Sequence, residues 1–126
     1  MVKHLKGILL GSAKARKLAD FYKNKVGLKL TMEFEMGDNK TEGFMFEMKG
    51  GSGLYITDHS KVKGKNKQPG RHVLNFEVDN IEKEVAKLKK EKVTLVQDIY
   101  HIEDYGYIAT FEDVDKNYFQ LVKTKV

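Results

Sequence analysis

Two stretches of this chain echo each other at a separation of 65 residues. Phe46-Glu47 matches Phe111-Glu112, and Leu54-Tyr55-Ile56 matches Phe119-Gln120-Leu121. A self-similarity of this length means that one supersecondary unit is used twice, and it constrains the fold more than any local propensity does. The later copy runs from Gly106 to Val122, where two β-type runs flank a polar turn, Asp113 to Asn117. Two copies facing each other would enclose a concave surface, so the repeat predicts a place for a site as well as an architecture.

The elements of each copy follow from periodicity. Residues 4–11 read as a strand with Ile8 and Leu10 on one face and Gly7, Leu9 and Gly11 on the other. Ser12 predicts an N-cap for a helix over 13–25, whose buried stripe is Ala15, Leu18, Phe21 or Tyr22, and Val26. Gly27 stands where a C-cap glycine belongs. Strands are expected over 28–36 and 40–49, joined by the hairpin-type turn Gly37-Asp38-Asn39. Gly50-Gly51-Ser52-Gly53 turns the chain into a short strand over 54–58. Residues 59–70 carry Lys61, Lys63, Lys65, Lys67 and the only proline, Pro69, and read as a surface linker. The pattern then restarts. Residues 72–78 alternate, Asp79 and Glu82 have capping-box spacing, and Ile81, Val85 and Leu88 mark a helix somewhat shorter than the first. Strands follow over 93–101, 106–112 and 118–124. Each half is thus β-α-β-β-β. The expected organisation is one domain over 1–126, of class α+β: module 1 over 1–58, the linker 59–70 and module 2 over 71–126.

Composition narrows the chemistry. With no cysteine, disulfides, thiolate metal sites and thiol nucleophiles are excluded. No apolar run approaches the roughly 20 residues that span a bilayer, and Ile8-Leu9-Leu10 is too short for a signal-peptide core. A cytoplasmic location with no membrane partner is expected. The net charge is +5, and all of the excess lies in residues 1–63, which hold 12 Lys/Arg against 7 Asp/Glu. Such a balance favours neutral or anionic small molecules over cationic ones. The lysines are scattered and form no basic stripe interleaved with aromatics, which argues against nucleic acid.

Three segments carry a family resemblance: Leu18-Ala-Asp-Phe-Tyr-Lys-Asn-Lys-Val-Gly-Leu28, Phe76-Glu-Val-Asp-Asn-Ile81 and Phe111-Glu-Asp-Val-Asp-Lys-Asn-Tyr-Phe-Gln-Leu121. In that order, with β-α-β-β-β used twice, the chain resembles the vicinal oxygen chelate superfamily of glyoxalases, bleomycin- and fosfomycin-resistance proteins and extradiol dioxygenases. The resemblance implies two βαβββ modules forming a curved mixed sheet cup with helices outside, and a homodimer. It also implies a divalent-metal site in the enzymes of the family, at positions that align with Gly7, Tyr55, Val73 and Gln120. Glycine and valine offer no side-chain donor, and a divalent ion needs three or four N/O ligands. No metal or other cofactor is therefore expected. Val114 and Lys116 replace the proline and glycine usual in the family's Asp-Pro-Asp-Gly-Asn turn. A lysine at a position of positive φ costs about 1 kcal/mol.

Strand alternation names the inward face. Leu74, Phe76 and Val78 cover the helix, which leaves Val73, Asn75 and Glu77 facing inward. The same logic leaves Leu9, Tyr55, Thr57, Tyr118, Gln120 and Val122 there. The ligand-binding candidates are Leu9, Tyr55, Thr57, Val73, Asn75, Tyr105, Tyr107, Tyr118 and Gln120. The tyrosines would stack on a planar ligand, and Asn75, Gln120 and Thr57 would orient it. Two residues are candidates for proton transfer: Glu77 as an inward carboxylate, and His101 in the loop Tyr100-His-Ile-Glu-Asp-Tyr-Gly-Tyr107. His4, His59 and His72 read as exposed or marginal. The expected function is metal-independent binding of a small neutral or anionic organic molecule. The alternatives are a metal-dependent lyase or dioxygenase with a shifted ligand set, and a small partner-binding domain.

Overall fold

The computed structural model describes residues 1–37 and 41–125, so Asp38 and Asn39 of the expected hairpin turn lie outside the described residues. The chain divides into two compact units, Met1–Gly64 and Lys65–Val126. Below, these are modules 1 and 2. Their boundary falls inside the 59–70 stretch.

Module 1 consists of β1 (Gly7–Ser12), α1 (Ala15–Phe21) running on into a π-helical turn (Tyr22–Val26), β2 (Leu30–Met36), β3 (Thr41–Glu47) and β4 (Gly53–Asp58). Module 2 opens with a 3₁₀ turn (Pro69–Arg71) and continues with β5 (Val73–Glu77), α2 (Ile81–Lys90), β6 (Leu95–Ile102), β7 (Gly106–Glu112) and β8 (Tyr118–Thr124). Each module forms a four-stranded mixed sheet, in the orders β1-β4-β3-β2 and β5-β8-β7-β6. The first pair in each is parallel and the others antiparallel. The class is α+β, with two βαβββ modules.

The repeat extends to strand register. In module 1 Met45 pairs with Tyr55 and Phe46 with Leu54; in module 2 Thr110 pairs with Gln120 and Phe111 with Phe119. Every one of these residues is displaced by 65. The irregularity between Leu30 and Met32 recurs between Leu95 and Gln97. The parallel strand is displaced by 66 instead, since Leu9 pairs with Tyr55 and Asn75 with Gln120. One extra residue in module 1 therefore lies between the parallel strand and β2. The π-helical turn absorbs it, with the Gly27 N–H donating to Tyr22 O; a single added residue is what widens an α-turn to a π-turn. Gly27 ends the helix at φ 90°, as the sequence predicts.

Each sheet buries one face against its helix. In module 1 Phe44, Phe46, Leu54 and Ile56 meet Ala15, Leu18, Ala19 and Tyr22; in module 2 Leu74, Phe111, Phe119 and Leu121 meet Ile81, Val85 and Leu88. All are at most 8 % exposed. The two helix starts differ from expectation. Ser12 is not the N-cap of α1: Lys14 holds that position and makes no side-chain cap. The Ser12 hydroxyl accepts from Lys14 N at 3.0 Å, and the Asp58 carboxylate at the end of β4 accepts from Ala15 N at 2.9 Å. A cap 43 residues away cannot be read from local sequence. In α2 the cap is Asn80, whose side chain accepts from Lys83 N, and not Asp79. The residue with extended φ and ψ immediately before the helix wins the role. The 59–70 stretch is tied down at both ends. His59 N donates to Ser12 O, and Asn66 bonds to Asp115 O and Asn117 Oδ1. Among the described residues no helix is long and apolar enough to cross a membrane.

Candidate functional site

With one face of each sheet packed on its helix, the opposite face is the one left to meet a ligand. Strand register names a complete cross-strand row on each open face. In module 1 the row is Leu9, Tyr55, Met45, Met32. In module 2 the equivalent row is Asn75, Gln120, Thr110, Gln97. The first is apolar and sulfur-rich, with Leu9 59 % and Met32 51 % exposed. The second is wholly polar, and its central pair is linked: the Gln120 amide donates to the Thr110 hydroxyl at 3.1 Å. Beside it the Thr124 hydroxyl donates to the exposed Glu77 carboxylate at 2.6 Å.

Most of the candidates read from the sequence occupy these faces. Leu9, Tyr55 and Thr57 share the open face of module 1, although Thr57 is buried at 8 % exposure. Val73, Asn75, Glu77, Tyr118 and Gln120 share that of module 2. Tyr107 and His101 stand elsewhere. Tyr107 is two residues from Ala109 and four from Phe111, both core residues, so alternation places it on the helix side of its sheet. His101 is its cross-strand partner, and the two rings lie 4.8 Å apart. The segment 100–107 is not a loop: β6 continues through Ile102 and β7 begins at Gly106, which leaves only Glu103–Tyr105 as the turn. Tyr105 sits at that tip, held by its N–H to Ile102 O. His101 and Glu77, each read by itself as a candidate for proton transfer, lie on opposite faces of the sheet.

A model of the Glyoxalase/Bleomycin resistance protein/Dioxygenase superfamily matches residues 4–121. The chain belongs to that superfamily. Several solved members share its fold. TnmS3, an antibiotic binding protein from Streptomyces sp. CB03234, is 21% identical with a TM-score of 0.77, over 98% of each chain. The fosfomycin resistance protein FosX of Listeria monocytogenes is 17% identical at a TM-score of 0.75, over 100% of this chain and 97% of its own. The trypanothione-dependent glyoxalase I of Leishmania major is 16% identical at 0.77, over 97% of this chain and 87% of its own. No curated protein sequence matches the chain.

This superfamily member does not fit the metal chemistry of its enzymatic relatives. Of the four positions that align with family ligands, Gly7 and Val73 lack a donor. Gly7 also has no room for one, since a Cβ there would lie 2.7 Å from the Tyr55 ring. Gln120 offers a single amide oxygen, its NH2 donating to the Thr110 hydroxyl, and one such donor does not hold a divalent ion. Among the described residues no three of His, Cys, Asp or Glu gather closely enough to hold an ion. Module 1 also has an open depression of about 360 Å³ between the end of β1 and the segment His59–Lys63. Its polar wall is structural. The Asp58 carboxylate accepts from Ala15 N and Glu42 N, and His59 Nδ1 accepts from Lys61 N.

Met32, Met45, Gln97 and Thr110 were missed by the sequence reading. Alternation in 41–47 holds the signal for Met45, because Phe44 and Phe46 must face the helix. For Met32 and Gln97 the signal is lost at the register shifts, where alternation breaks.

Proposed function

We propose that this protein binds a small neutral or anionic organic molecule without a metal ion, using the open sheet faces. The observation that carries this reading is the apolar row Leu9–Tyr55–Met45–Met32, with its ends Leu9 and Met32 exposed and its middle half-buried, on a sheet face that a water-facing role would fill with polar side chains. Small-molecule sites draw affinity mostly from apolar side chains and orientation from a few polar groups; Leu9, Met45 and Met32 on module 1 are of the first kind, and Asn75 and Gln120 on module 2 are of the second. The net charge of +5 disfavours a cationic ligand. Each sheet leaves two edge strands, β1 and β2 in one and β5 and β6 in the other. Pairing in a homodimer would cover edges of this kind.

Native mass spectrometry of protein purified without a nickel column tests all three parts. The expected spectrum shows a dimer carrying an organic adduct and no metal. Near-stoichiometric zinc, nickel, manganese or iron would overturn the reading in favour of a metal-dependent lyase or dioxygenase.

A further inference from the structure

The open face of module 1 is paved in an unusual way. A strand side chain ordinarily stands roughly perpendicular to its sheet. Tyr55 instead lies down along it. A Cβ added at Gly53 would fall 2.8 Å from both Cζ and the hydroxyl oxygen of Tyr55, and one added at Gly7 would fall 2.7 Å from its Cε2. The phenol thus leans back over its own strand and across to β1. Phe34 does the same on this face toward the β2 edge. A Cβ at Gly43, its direct partner on β3, would lie within 3.0 Å of three Phe34 ring carbons. Three glycines on one face have given up the space that two aromatic rings occupy. A ring laid against glycine backbone turns its other face outward. Met45 stands in the row beside Tyr55, with the exposed Met32 beyond it. Thioethers are polarizable and favour contact with aromatic groups.

Module 2 shows that the fold does not require this arrangement. The counterparts of Gly7, Gly43 and Gly53 there are Val73, Ile108 and Tyr118, and the β6 residue that pairs with Ile108, as Phe34 pairs with Gly43, is Tyr100. With the same strand order and the same register from β7 to β8, the second sheet keeps side chains at all three positions.

We propose that the open face of module 1 is a stacking platform for a planar, polycyclic ring system, neutral or anionic. This deepens the small-molecule reading above and rests on it. Two rings and two thioethers on glycine floors match a flat ligand over its whole area, whereas a globular ligand of equal size touches them only at its near side. The charge sign follows from residues 1–63, which hold the entire net excess of +5.

The test uses two probes of equal charge, pyrene-1-sulfonate and adamantane-1-sulfonate, titrated into the full chain carrying ¹³C-methyl methionine. Pyrene-1-sulfonate is expected to move the Met32 and Met45 methyls upfield by its ring current while leaving Met48 in place. It is also expected to bind about tenfold more tightly than the adamantane probe, which is the order that two aromatic contacts supply. Phe34→Leu and Tyr55→Leu keep the apolar bulk and should each reduce that preference to about threefold. The wild-type methyl shifts keep the proposal testable should either variant melt early. If both probes move the two methyls with equal affinity, the rings only cover the sheet; the platform is then overturned and small-molecule binding stands. If neither probe moves these methyls, both readings fall.

Discussion

The two open faces are the same surface built twice with opposite chemistry. Leu9, Tyr55, Met45 and Met32 occupy in one sheet the positions that Asn75, Gln120, Thr110 and Gln97 occupy in the other. The helix-facing sides have not parted in this way: Phe46 answers Phe111, Leu54 answers Phe119 and Ile56 answers Leu121, all buried. The contrast separates two kinds of constraint. A side chain packed against a helix is held to an apolar character by the cost of a cavity or a buried polar atom. A side chain on the open face is held only by what it must contact. Divergence confined to the open faces is what a binding role predicts; taken each by itself, the face of module 1 is apolar and that of module 2 is polar.

The equivalence of the helix-facing sides is the firmest part of the comparison and the easiest to break. Phe46 and Phe111 are both fully buried and displaced by 65. Phe46→Ala and Phe111→Ala should each destabilise by about 3–5 kcal/mol, the usual range for a buried phenylalanine. Urea denaturation reads the effect. A loss below about 1 kcal/mol at either position would mean that one core is loosely packed, and the two modules would no longer count as copies.

The turns closing each sheet sharpen the comparison. Both have the same backbone frame: Met48 N donates to Ser52 O and Gly51 N to Met48 O, while Asp113 N donates to Asn117 O and Lys116 N to Asp113 O. Module 1 achieves it with glycines, Gly50 at φ 99° and Gly51 at φ 95°. Module 2 achieves it with a side chain. The buried Asp113 carboxylate accepts from Asp115 N at 2.8 Å, Asn117 N at 2.9 Å and Asn117 Nδ2 at 3.0 Å. Asp113→Ala strands these donors and should destabilise by about 2–3 kcal/mol, as read from the urea midpoint. An unchanged midpoint would mean that water replaces the carboxylate freely. Lys116 meanwhile sits at φ 64°, as its place in the family's glycine position foretells. Relief of the left-handed strain is worth about 1–2 kcal/mol, and glycine's added freedom in the unfolded chain returns roughly half to one of it. Lys116→Gly should therefore stabilise by about 0.5 kcal/mol. A net loss would show that the lysine stem or its charge matters to the turn.

These turns also mark how far the sequence could be read. The repeat, the element order and the open-face positions on β1, β4, β5 and β8 were legible, because alternation and a fixed displacement are local patterns. The Asp113–Asn117 turn was legible for the same reason. Three features were not. The cap on α1 comes from Asp58, brought near only by the pairing of β1 with β4. The open-face membership of Met32 and Gln97 is hidden by bulges, which reset the two-residue period. The paving by Tyr55 and Phe34 depends on side chains lying down, which no periodicity encodes. His101 and Tyr107 teach the complementary lesson. Their aromatic and acidic neighbours looked like a loop, but Gly106 and the turn at Glu103–Tyr105 make a hairpin that sends both rings to the helix side.

The smallest difference lies in how each helix is pinned to the outer strands. In module 1 the Arg16 guanidinium on α1 donates to both Glu33 on β2 and Glu42 on β3. In module 2 the Lys89 ammonium on α2 meets Asp98 on β6, at 2.8 Å. The hydrogen bond from Lys89, and then that from Ile99 N, hold the Asp98 carboxyl below its ordinary 3.8. A depressed carboxyl stabilises the fold above the unfolded value, and this contribution is lost as pH falls through the folded value. Asp98→Asn should therefore lower the melting temperature slightly at pH 6. The gap between variant and wild type should close as pH drops below about 3.8, toward the lowered value. Because the pair is exposed, 1 M salt should close most of the same gap at pH 6. A gap that persists at low pH and high salt would show that the charge pair with Lys89 is not its source. α2 would then lack a charged pin of the kind that Arg16 gives α1.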